Sequence, residues 1–222
     1  MLILSLILSA VISYLLGSLN SAIIVVRLLK HEDIREHGSK NAGLTNTLRC
    51  FGKVPALFTL IGDLSKGIVA VLLSQLIVKL LAGEGAIDLQ LVGYIAGVFA
   101  IFGHIFPIYY GFKGGKGVLV AASILIVIDP LTFAIVIPFF ILVCAITRYV
   151  SVGSISSAVA YPIITFCINH FVRHAPMEHC IWYTICTACT GALLIYMHRA
   201  NIKRLAEGNE NKLSFGKKKE AE

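Results

Sequence analysis

Long apolar stretches recur along the whole sequence, and they are the feature that most restricts how this chain can fold. A helix of about 20 apolar residues crosses the hydrocarbon core of a bilayer. Spanning segments default to helix because a helix satisfies its backbone hydrogen bonds internally. Only 14% of the 222 residues are charged, against about 25% in a typical soluble domain. The sequence therefore predicts an all-α integral membrane protein.

We predict seven transmembrane helices from these stretches. The fourth is short, and we expect a half-span or a helix that follows a re-entrant loop buried in protein. The first lacks a basic leading segment and is longer than the apolar core of a signal peptide, so we expect a retained span. The predicted helices are Ile3–Val26, Val54–Leu81, Leu89–Tyr109, Val118–Ile128, Leu131–Thr147, Ile155–Phe171 and Cys180–Met197.

The basic residues indicate how the spans are oriented. With seven crossings, the 19 Lys and Arg residues fall on one side except for Lys66, Lys79 and Arg173. Cytoplasmic loops are enriched in Lys and Arg, so we expect the N-terminus outside and the C-terminus in the cytoplasm. Six crossings would place the basic tail outside. Residues 1–212 are predicted to form a single transmembrane domain, and residues 213–222 a basic cytoplasmic tail.

Residues 38–49 form the first of four segments on the predicted cytoplasmic side that are rich in hydrogen-bond donors. Gly38 and Gly43 permit turns in which backbone amides point inward, as in an anion-binding nest. The other polar residues of interest can donate hydrogen bonds, and an arginine can grip a phosphate through two parallel bonds. They are Ser39, Asn41, Thr45, Asn46 and Arg49. A merely polar turn between two spans is the alternative interpretation.

Residues 112–117 form a glycine-rich segment that leads into the fourth helix. Glycines before a helix start can cradle a phosphate, and Lys116 would add a point charge. A Walker A loop is excluded because Tyr110 and Gly117 stand where that motif needs Gly and Ser or Thr. Nucleotide hydrolysis is therefore not expected. A turn anchored to lipid head groups by Lys113 and Lys116 is the alternative.

Two further segments complete this face of the membrane. Ser151 and Ser154 lie beside the start of the sixth predicted helix, where serine is also a common N-cap. His198 and Asn201 follow the last span and share one helical face. The four segments together predict an anion site that is poor in acids. The sequence shows no Ser-His-Asp arrangement, carboxylate pair or clustered histidines, so no metal site is predicted.

Three titratable residues inside the predicted spans admit either a structural or a functional role. Asp63 and Lys66 lie three residues apart in the second helix and can pair across one turn. Ions inside a membrane are costly and often functional. A structural pair and a catalytic role are both open, and for His104 we expect a hydrogen-bonded structural role.

Five segments, taken in order, resemble the bacterial acyl-phosphate-dependent glycerol-3-phosphate acyltransferases. The two most specific read Gly38-Ser39-x-Asn41-x-Gly43-x-Thr45-Asn46-x-x-Arg49 and Phe112-Lys113-Gly114-Gly115-Lys116-Gly117-Val118, the second preceded by Gly103-His104-x-Phe106-Pro107. The supporting segments are Gly17-Ser18 followed by Arg27, Asp63-x-x-Lys66-Gly67, and His198-Arg199-x-Asn201-Ile202-x-Arg204-Leu205-x-x-Gly208-x-Glu210-x-Lys212. Two departures are Asn20, where the family often has Pro, and Leu119-Val120, where it often has Ala-Thr.

This resemblance implies a fold, an activity and a location. The implied fold has seven helices around a site that faces the cytoplasm, in the bacterial cytoplasmic (inner) membrane. The implied reaction moves a fatty acyl group from acyl phosphate to the sn-1 hydroxyl of glycerol 3-phosphate. Its product is lysophosphatidic acid, at the first step of phospholipid synthesis, and residues 1–212 would be the acyltransferase domain. No cofactor and no nucleic acid are implied. The implied partners are the two substrates and membrane lipid, with the upstream enzyme that forms acyl phosphate as a candidate protein partner.

The resemblance also implies residue roles. The phosphate of acyl phosphate would lie among Ser39, Asn41, Thr45 and Gly114, which with Lys116 make up the expected catalytic group. Glycerol 3-phosphate would be held by Lys116 together with an expected substrate-binding group. That group contains Arg49, Ser154, His198, Asn201, Asn46 and Gly43. Ser151 remains an alternative to Ser154, because both fit a turn before a helix.

Two rival functions fit a multi-span protein with a basic face. An organic-anion transporter is disfavoured because the donors lie on one face, and because the chain shows neither repeated halves nor many midplane polar groups. A scaffold that binds anionic lipid would need Lys and Arg only. It would not need Asn41, Thr45, Asn46 and Asn201.

Overall fold

A computed structural model describes residues 1–213, and within that range every regular element is a helix. Shorter turns of 3₁₀ type lie at Ile34–Glu36 and Ile108–Tyr110, and a π-helical turn lies at Ile168–Val172. The α-helices are α1 (Leu2–Ser18), α2 (Ser21–Lys30), α3 (Leu44–Phe51), α4 (Lys53–Ala82), α5 (Leu89–Ile105), α6 (Val118–Ile128), α7 (Pro130–Thr147), α8 (Val150–Cys167), α9 (Met177–Met197) and α10 (Arg199–Ala206). The predicted tail lies outside the described residues except for Leu213.

Six helical stretches of the described chain are long and apolar enough to cross a membrane, and α6 is a shorter apolar helix. The predicted bounds of α6, Val118–Ile128, agree with the structure. An all-helical membrane fold is confirmed, whereas seven crossings and their orientation stay predictions. Large apolar side chains cover the outside of the bundle, including Leu72, Ile141, Ile163 and Trp182, as expected for helices that face lipid.

Two differences between the predicted spans and the structure bear on the site, whereas shifts of up to four residues at other helix ends do not. The first, Ile3–Val26, is broken at Leu19 and Asn20 into α1 and α2. The Asn20 side chain accepts a hydrogen bond of 3.1 Å from the Ile23 amide, so it caps α2. The sixth span begins at Val150 rather than at Ile155. Ser151 and Ser154 therefore lie inside the first turns of α8, and not in a loop before it.

Close backbone contacts hold the bundle together where α1 meets α5. A Cβ atom on Gly17 would lie 2.0 Å from the Ala100 carbonyl oxygen, and one on Gly103 would lie 2.1 Å from that of Tyr14. Small residues allow membrane helices to approach at this distance. The glycines therefore fix the position of α5, whose C-terminus supports the site described below.

The short helix α6 is enclosed by protein. It packs against α4, α5 and α7, and most of its side chains are buried, Val120 and Ser123 completely. Eleven residues of helix measure about 16 Å, roughly half of a hydrocarbon core of about 30 Å. Such a short element is tolerated at membrane depth because neighbouring helices cover it.

Four connecting regions meet at one end of the bundle, which we call the loop face: residues 31–52, 106–117, 148–149 and 198–213. Direct contacts tie them together. A Cβ atom on Gly115 would lie 2.6 Å from the Ala42 carbonyl oxygen, and the Leu213 amide donates a 2.7 Å hydrogen bond to the Arg148 carbonyl. Residues 83–88, 129 and 173–176 lie toward the other end, the far face. The four segments singled out from the sequence therefore share one end.

Candidate active site

Asn46 organises the first loop from its centre. It is 2% exposed, and its amide donates to the carbonyl oxygens of His37 at 3.0 Å and Asn41 at 3.1 Å. Its carbonyl accepts a 3.0 Å hydrogen bond from the Ser39 amide. Because these protein groups occupy the side chain, Asn46 supports the loop rather than facing a ligand. Sequence reasoning had grouped it with the substrate-binding residues.

Around Asn46, the loop presents several groups that are not used within the protein. Within residues 1–213, the side chains of Ser39, Asn41 and Thr45 make no hydrogen bond, and Ser39 and Thr45 are exposed. Gly43 precedes α3 without a side-chain cap, so the first amides of that helix are also free to bind an anion. The loop therefore offers both hydroxyl and amide donors to a ligand.

A neighbouring acid is neutralised where the loop begins. Arg35 grips both carboxylate oxygens of Asp33, at 2.9 and 2.7 Å, and donates to the Tyr110 carbonyl at 2.8 Å. The side-chain hydrogen bonds from Arg35 hold the pKa of Asp33 well below its usual range, against the opposing effect of burial. Arg35 thus anchors the first loop to the second, and the charge of Asp33 is matched.

The glycine-rich segment packs back along the end of α5. The Gly114 amide donates to the Ile105 carbonyl and the Gly115 amide to the His104 carbonyl, both at 3.1 Å. A Cβ atom on Gly114 would lie 2.0 Å from the His104 carbonyl oxygen, so only glycine fits. The Gly114 amide is therefore committed to the protein, and its role is to let the loop lie close to α5. The open amides are those at the start of α6, whose N-cap Gly117 has no capping side chain.

Lys116 joins this segment to the start of α10 through a chain of polar contacts. Its ammonium donates to the Asn201 side-chain carbonyl. The Asn201 amide donates to Glu210 at 2.6 Å, and Arg204 donates to the other oxygen of Glu210 at 2.7 Å. The Glu210 side chain is only 6% exposed. These contacts place two cations, an amide and one carboxylate in a single network.

Electrostatics in this network favour an anionic ligand. Burial lowers the pKa of Lys116 to about 8, with Arg204 and Arg49 acting in the same direction and Glu210 opposing them. Burial alone would raise the pKa of Glu210, but hydrogen bonds from Asn201 and Arg204 hold it below its usual range. Glu210 is therefore ionised, and Lys116 would gain from a second anion beside it.

His198 is neutral and fixed in one tautomer. Its Nδ1 lies 2.7 Å from the Leu194 carbonyl oxygen, which can only accept, so Nδ1 carries the proton. Burial, together with the charge of Lys116, lowers the pKa of His198 to about 4. The remaining nitrogen, Nε2, is left as a hydrogen-bond acceptor of low basicity.

The two serines of α8 differ in how their hydroxyls are used. Ser154 donates a 2.9 Å hydrogen bond to the Val150 carbonyl. The Ser151 hydroxyl is buried and makes no well-formed hydrogen bond within residues 1–213, although it lies close enough to the Glu210 carboxylate to help lower the pKa of that group. The geometry thus leaves Ser151 with the less committed hydroxyl, and the choice between the two stays open.

Sequence reasoning missed Glu210 as a member of this network. The sequence predicted an anion site that is poor in acids, and the structure adds the buried Glu210 carboxylate to it. A signal was present, because Glu210 belongs to the motif that continues from His198 and Asn201. Nothing in the spacing alone indicated that its carboxylate turns back onto Asn201.

Comparison with known proteins identifies the family of the chain. The sequence profile of the glycerol-3-phosphate acyltransferase family matches residues 7–208. The chain belongs to that family. The glycerol-3-phosphate acyltransferase of Chlorobaculum tepidum is 40% identical, over 94% of this chain and 96% of the relative. That of Clostridioides difficile is also 40% identical, over 98% and 99% of the two chains.

Solved structures of the family share the fold. A crystal structure of PlsY, an integral membrane glycerol 3-phosphate acyltransferase, in its glycerol 3-phosphate form has a TM-score of 0.76 at 30% identity, covering 95% of this chain and 96% of that chain. Its lysophosphatidic acid form has a TM-score of 0.74 at 28% identity, with the same coverage. The family and the enzyme class implied by the sequence motifs, a glycerol-3-phosphate acyltransferase, are confirmed.

Proposed function

We propose that the protein transfers a fatty acyl group from acyl phosphate to the sn-1 hydroxyl of glycerol 3-phosphate, giving lysophosphatidic acid and phosphate. The observation that carries this proposal is the presence of two donor sets at one face. One set lies in the first loop, at Ser39, Asn41 and Thr45. The other surrounds Lys116. The close contact of Gly115 with Ala42 brings their loops together, as a reaction between two phosphate-bearing substrates requires.

We assign the first donor set to the phosphate of acyl phosphate. The free hydroxyls, the Asn41 amide and the open amides at the start of α3 suit a phosphate that leaves with its negative charge. Gly114 and Asn46 would contribute indirectly, by allowing the second loop to pack and by shaping the first. Gly43 would contribute the uncapped start of α3.

We assign the second set to glycerol 3-phosphate. Lys116, Arg49 and Asn201 would bind its phosphate, and Ser154 or Ser151 would add a hydroxyl contact. His198 Nε2 would accept a hydrogen bond from a substrate hydroxyl and orient it. Because both substrates are held in one complex, the reaction between them becomes effectively unimolecular. Most of the rate enhancement would arise from this proximity and orientation.

The chemical step needs no cofactor because acyl phosphate is already activated. The glycerol hydroxyl oxygen forms a bond to the acyl carbon, and the bond from that carbon to the phosphate oxygen breaks. The hydroxyl proton leaves with the departing phosphate, so atoms and charges balance. A histidine whose pKa is about 4 is too weak a base to compete for that proton at neutral pH. A substrate phosphate is therefore the proposed proton acceptor.

We further propose that the protein acts in the bacterial cytoplasmic membrane with its loop face toward the cytoplasm. The basic residues of the loop face support this orientation. Acyl phosphate would then arrive from membrane lipid or directly from the upstream enzyme that forms it. Residues 1–212 would act as a single acyltransferase domain.

The test supplies purified protein with glycerol 3-phosphate and one donor at a time: palmitoyl phosphate, palmitoyl-CoA or palmitoyl-acyl carrier protein. We expect lysophosphatidic acid and free phosphate from palmitoyl phosphate only. Product from a thioester alone would overturn the assigned donor. Absence of product from every donor, with folded protein, would overturn the proposed activity. Transport of organic anions into liposomes would then be measured to test the rival transporter function.

A further inference from the structure

A buried triad of two charged residues and a histidine lies inside the membrane domain, beneath the two loops of the site. Asp63 and Lys66 belong to α4 and His104 to α5, and they are 1%, 6% and 3% exposed. The Lys66 ammonium lies 2.9 Å from the Asp63 carboxylate and 2.8 Å from His104 Nδ1. Its third contact, at 3.0 Å, is the carbonyl oxygen of Leu19. Charges at this depth are costly to keep unless each has a partner.

The contacts of Lys66 determine the state of His104. An ammonium has three donors and no acceptor, so His104 Nδ1 must accept and the ring proton must lie on Nε2. Lys66, which belongs to α4, therefore makes hydrogen bonds to α5 and to the break between α1 and α2, and it forms an ion pair with Asp63 one turn away in α4. This geometry fixes those elements relative to one another, because a hydrogen bond in a low dielectric is strong and a lost one is costly.

A hydrogen bond from Lys66 connects the triad to the first loop through Leu19 and Asn20. Leu19 and Asn20 form the break in the first span, and the Leu19 carbonyl is held by Lys66. The adjacent Asn20, which is fully buried, donates a 3.3 Å hydrogen bond to the Ala42 carbonyl. Ala42 directly follows Asn41, one of the free donors. A shift of Leu19 would therefore move the loop that carries Asn41.

His104 connects the triad to the glycine-rich loop. The His104 carbonyl accepts the Gly115 amide, and a Cβ atom on Gly115 would lie 2.2 Å from His104 Nε2. The same Cβ would lie 2.6 Å from the Ala42 carbonyl oxygen. His104 therefore supports the residue beside Lys116 at the point where the two loops touch.

We propose that Asp63, Lys66 and His104 are positioning residues that set the separation between the acyl phosphate loop and the Lys116 loop. This inference rests on the proposed function. The triad touches neither substrate in this arrangement, and it acts through Leu19, Asn20 and Gly115. A displacement of about 1 Å between two reacting groups can cost on the order of 100-fold in rate. Each loop keeps its own donors when the separation changes, so binding of each substrate alone is affected less than turnover.

The decisive variants are His104→Asn and His104→Gln, both of which leave the net charge unchanged. Asn places a carbonyl oxygen near the position of Nδ1 and can still accept from Lys66, whereas Gln reaches toward the position of Nε2. We expect kcat to fall about 100-fold in His104→Gln, with each KM changed by less than about threefold. His104→Asn should retain at least about a tenth of the wild-type kcat, because its side-chain oxygen can still accept the hydrogen bond from Lys66.

A double variant tests the charged part of the triad without leaving one charge unpaired. Asp63→Asn combined with Lys66→Met removes both charges together, and we expect the same large fall in kcat at nearly constant KM. The matched control is Asp129→Asn, which alters a buried ion pair at the far face and should leave kcat unchanged in folded protein. Circular dichroism and size-exclusion elution report folding for every variant.

The outcomes separate this inference from the proposed function. Wild-type protein without product from palmitoyl phosphate refutes the proposed function. With active wild type, folded triad variants that keep wild-type kcat refute the positioning role. A large rise in one KM at constant kcat also refutes it, because the triad would then serve one substrate only. Failure of all three triad variants to fold assigns the triad to stability and likewise overturns the proposal.

Discussion

Two polar networks at opposite ends of the bundle show how a structural cluster differs from a binding site. At the far face, Asp129 is fully buried and both of its oxygens are engaged. One accepts from the Thr132 amide at 3.1 Å and from Arg173 at 2.8 Å, and the other accepts from Tyr94 at 3.1 Å and the Thr132 hydroxyl at 2.6 Å. Arg173 also donates to Asn169 at 3.2 Å. The Asp129 carboxylate is therefore paired with one guanidinium, and both of its oxygens accept hydrogen bonds.

At the loop face the balance is different. Lys116, Arg204 and the nearby Arg49 face a single described carboxylate, that of Glu210. Side chains of the first loop keep donors that no described residue uses. A closed network with matched charges gains little from a ligand, whereas a network with surplus donors and cations is stabilised by an anion. Substitutions that change one network at a time test this difference.

Lys116→Ala removes the cation that links the glycine-rich loop to Asn201. We expect kcat/KM for glycerol 3-phosphate to fall on the order of 100- to 1000-fold, as when a preorganised donor to a developing charge is deleted. The matched control is Lys113→Ala, in the same loop but exposed, which should retain most activity. Steady-state kinetics with palmitoyl phosphate measures both. An equal loss in the two variants would mean that total charge matters, and not the position of Lys116.

Glu210→Gln tests whether the acid that contacts Asn201 is part of the working site. The carboxylate orients the Asn201 amide and supports the charge of Lys116, so we expect roughly a tenfold loss in kcat/KM, about 1.4 kcal/mol. The pKa of Lys116 should fall further, because Glu210 raises it. Glu207→Gln, an exposed neighbour in the same segment, is the control. A pH profile of Glu210→Gln that coincides with the wild type would contradict this role.

The surplus of positive charge should itself depend on pH. A lysine is charged below its pKa, and that of Lys116 lies at about 8 instead of the usual value near 10.4. We therefore expect kcat/KM to decline as the pH rises through about 8, because the free enzyme loses the Lys116 charge. His198 has a pKa of about 4, so its titration should not change kcat/KM between pH 6 and 8. In Lys116→Arg the decline should disappear, although overall activity is lower because the two side chains differ in shape.

Much of this arrangement could be predicted from sequence, and the failures have identifiable causes. Apolar length and loop composition indicated the helices and the donor-rich loops, because both are local properties. The break at Asn20 was missed because hydropathy continues across it. Glu210 was missed because its contact with Asn201 depends on a reversal of the chain at Gly208, which has φ of +73°. Spacing along a helix cannot reveal such a turn. Only the family motif, which includes Gly208 and Glu210, indicated that these residues belong with His198 and Asn201.

The smallest effect on catalysis is expected at the far face, where Asp129→Asn alters the closed network. Asparagine keeps the shape but loses the charge that Arg173 binds, and Arg173, whose side chain is 31% exposed, can turn toward water. We expect unfolding to become easier by about 1–3 kcal/mol, with kcat/KM of the folded enzyme within about twofold of wild type. Thermal unfolding in detergent and kinetics on the same preparation measure the two quantities. A loss of activity beyond the loss of folded protein would show that the far face is coupled to the site. The short helix α6, which begins after Lys116 and ends beside Asp129, would then be the element that connects the two networks.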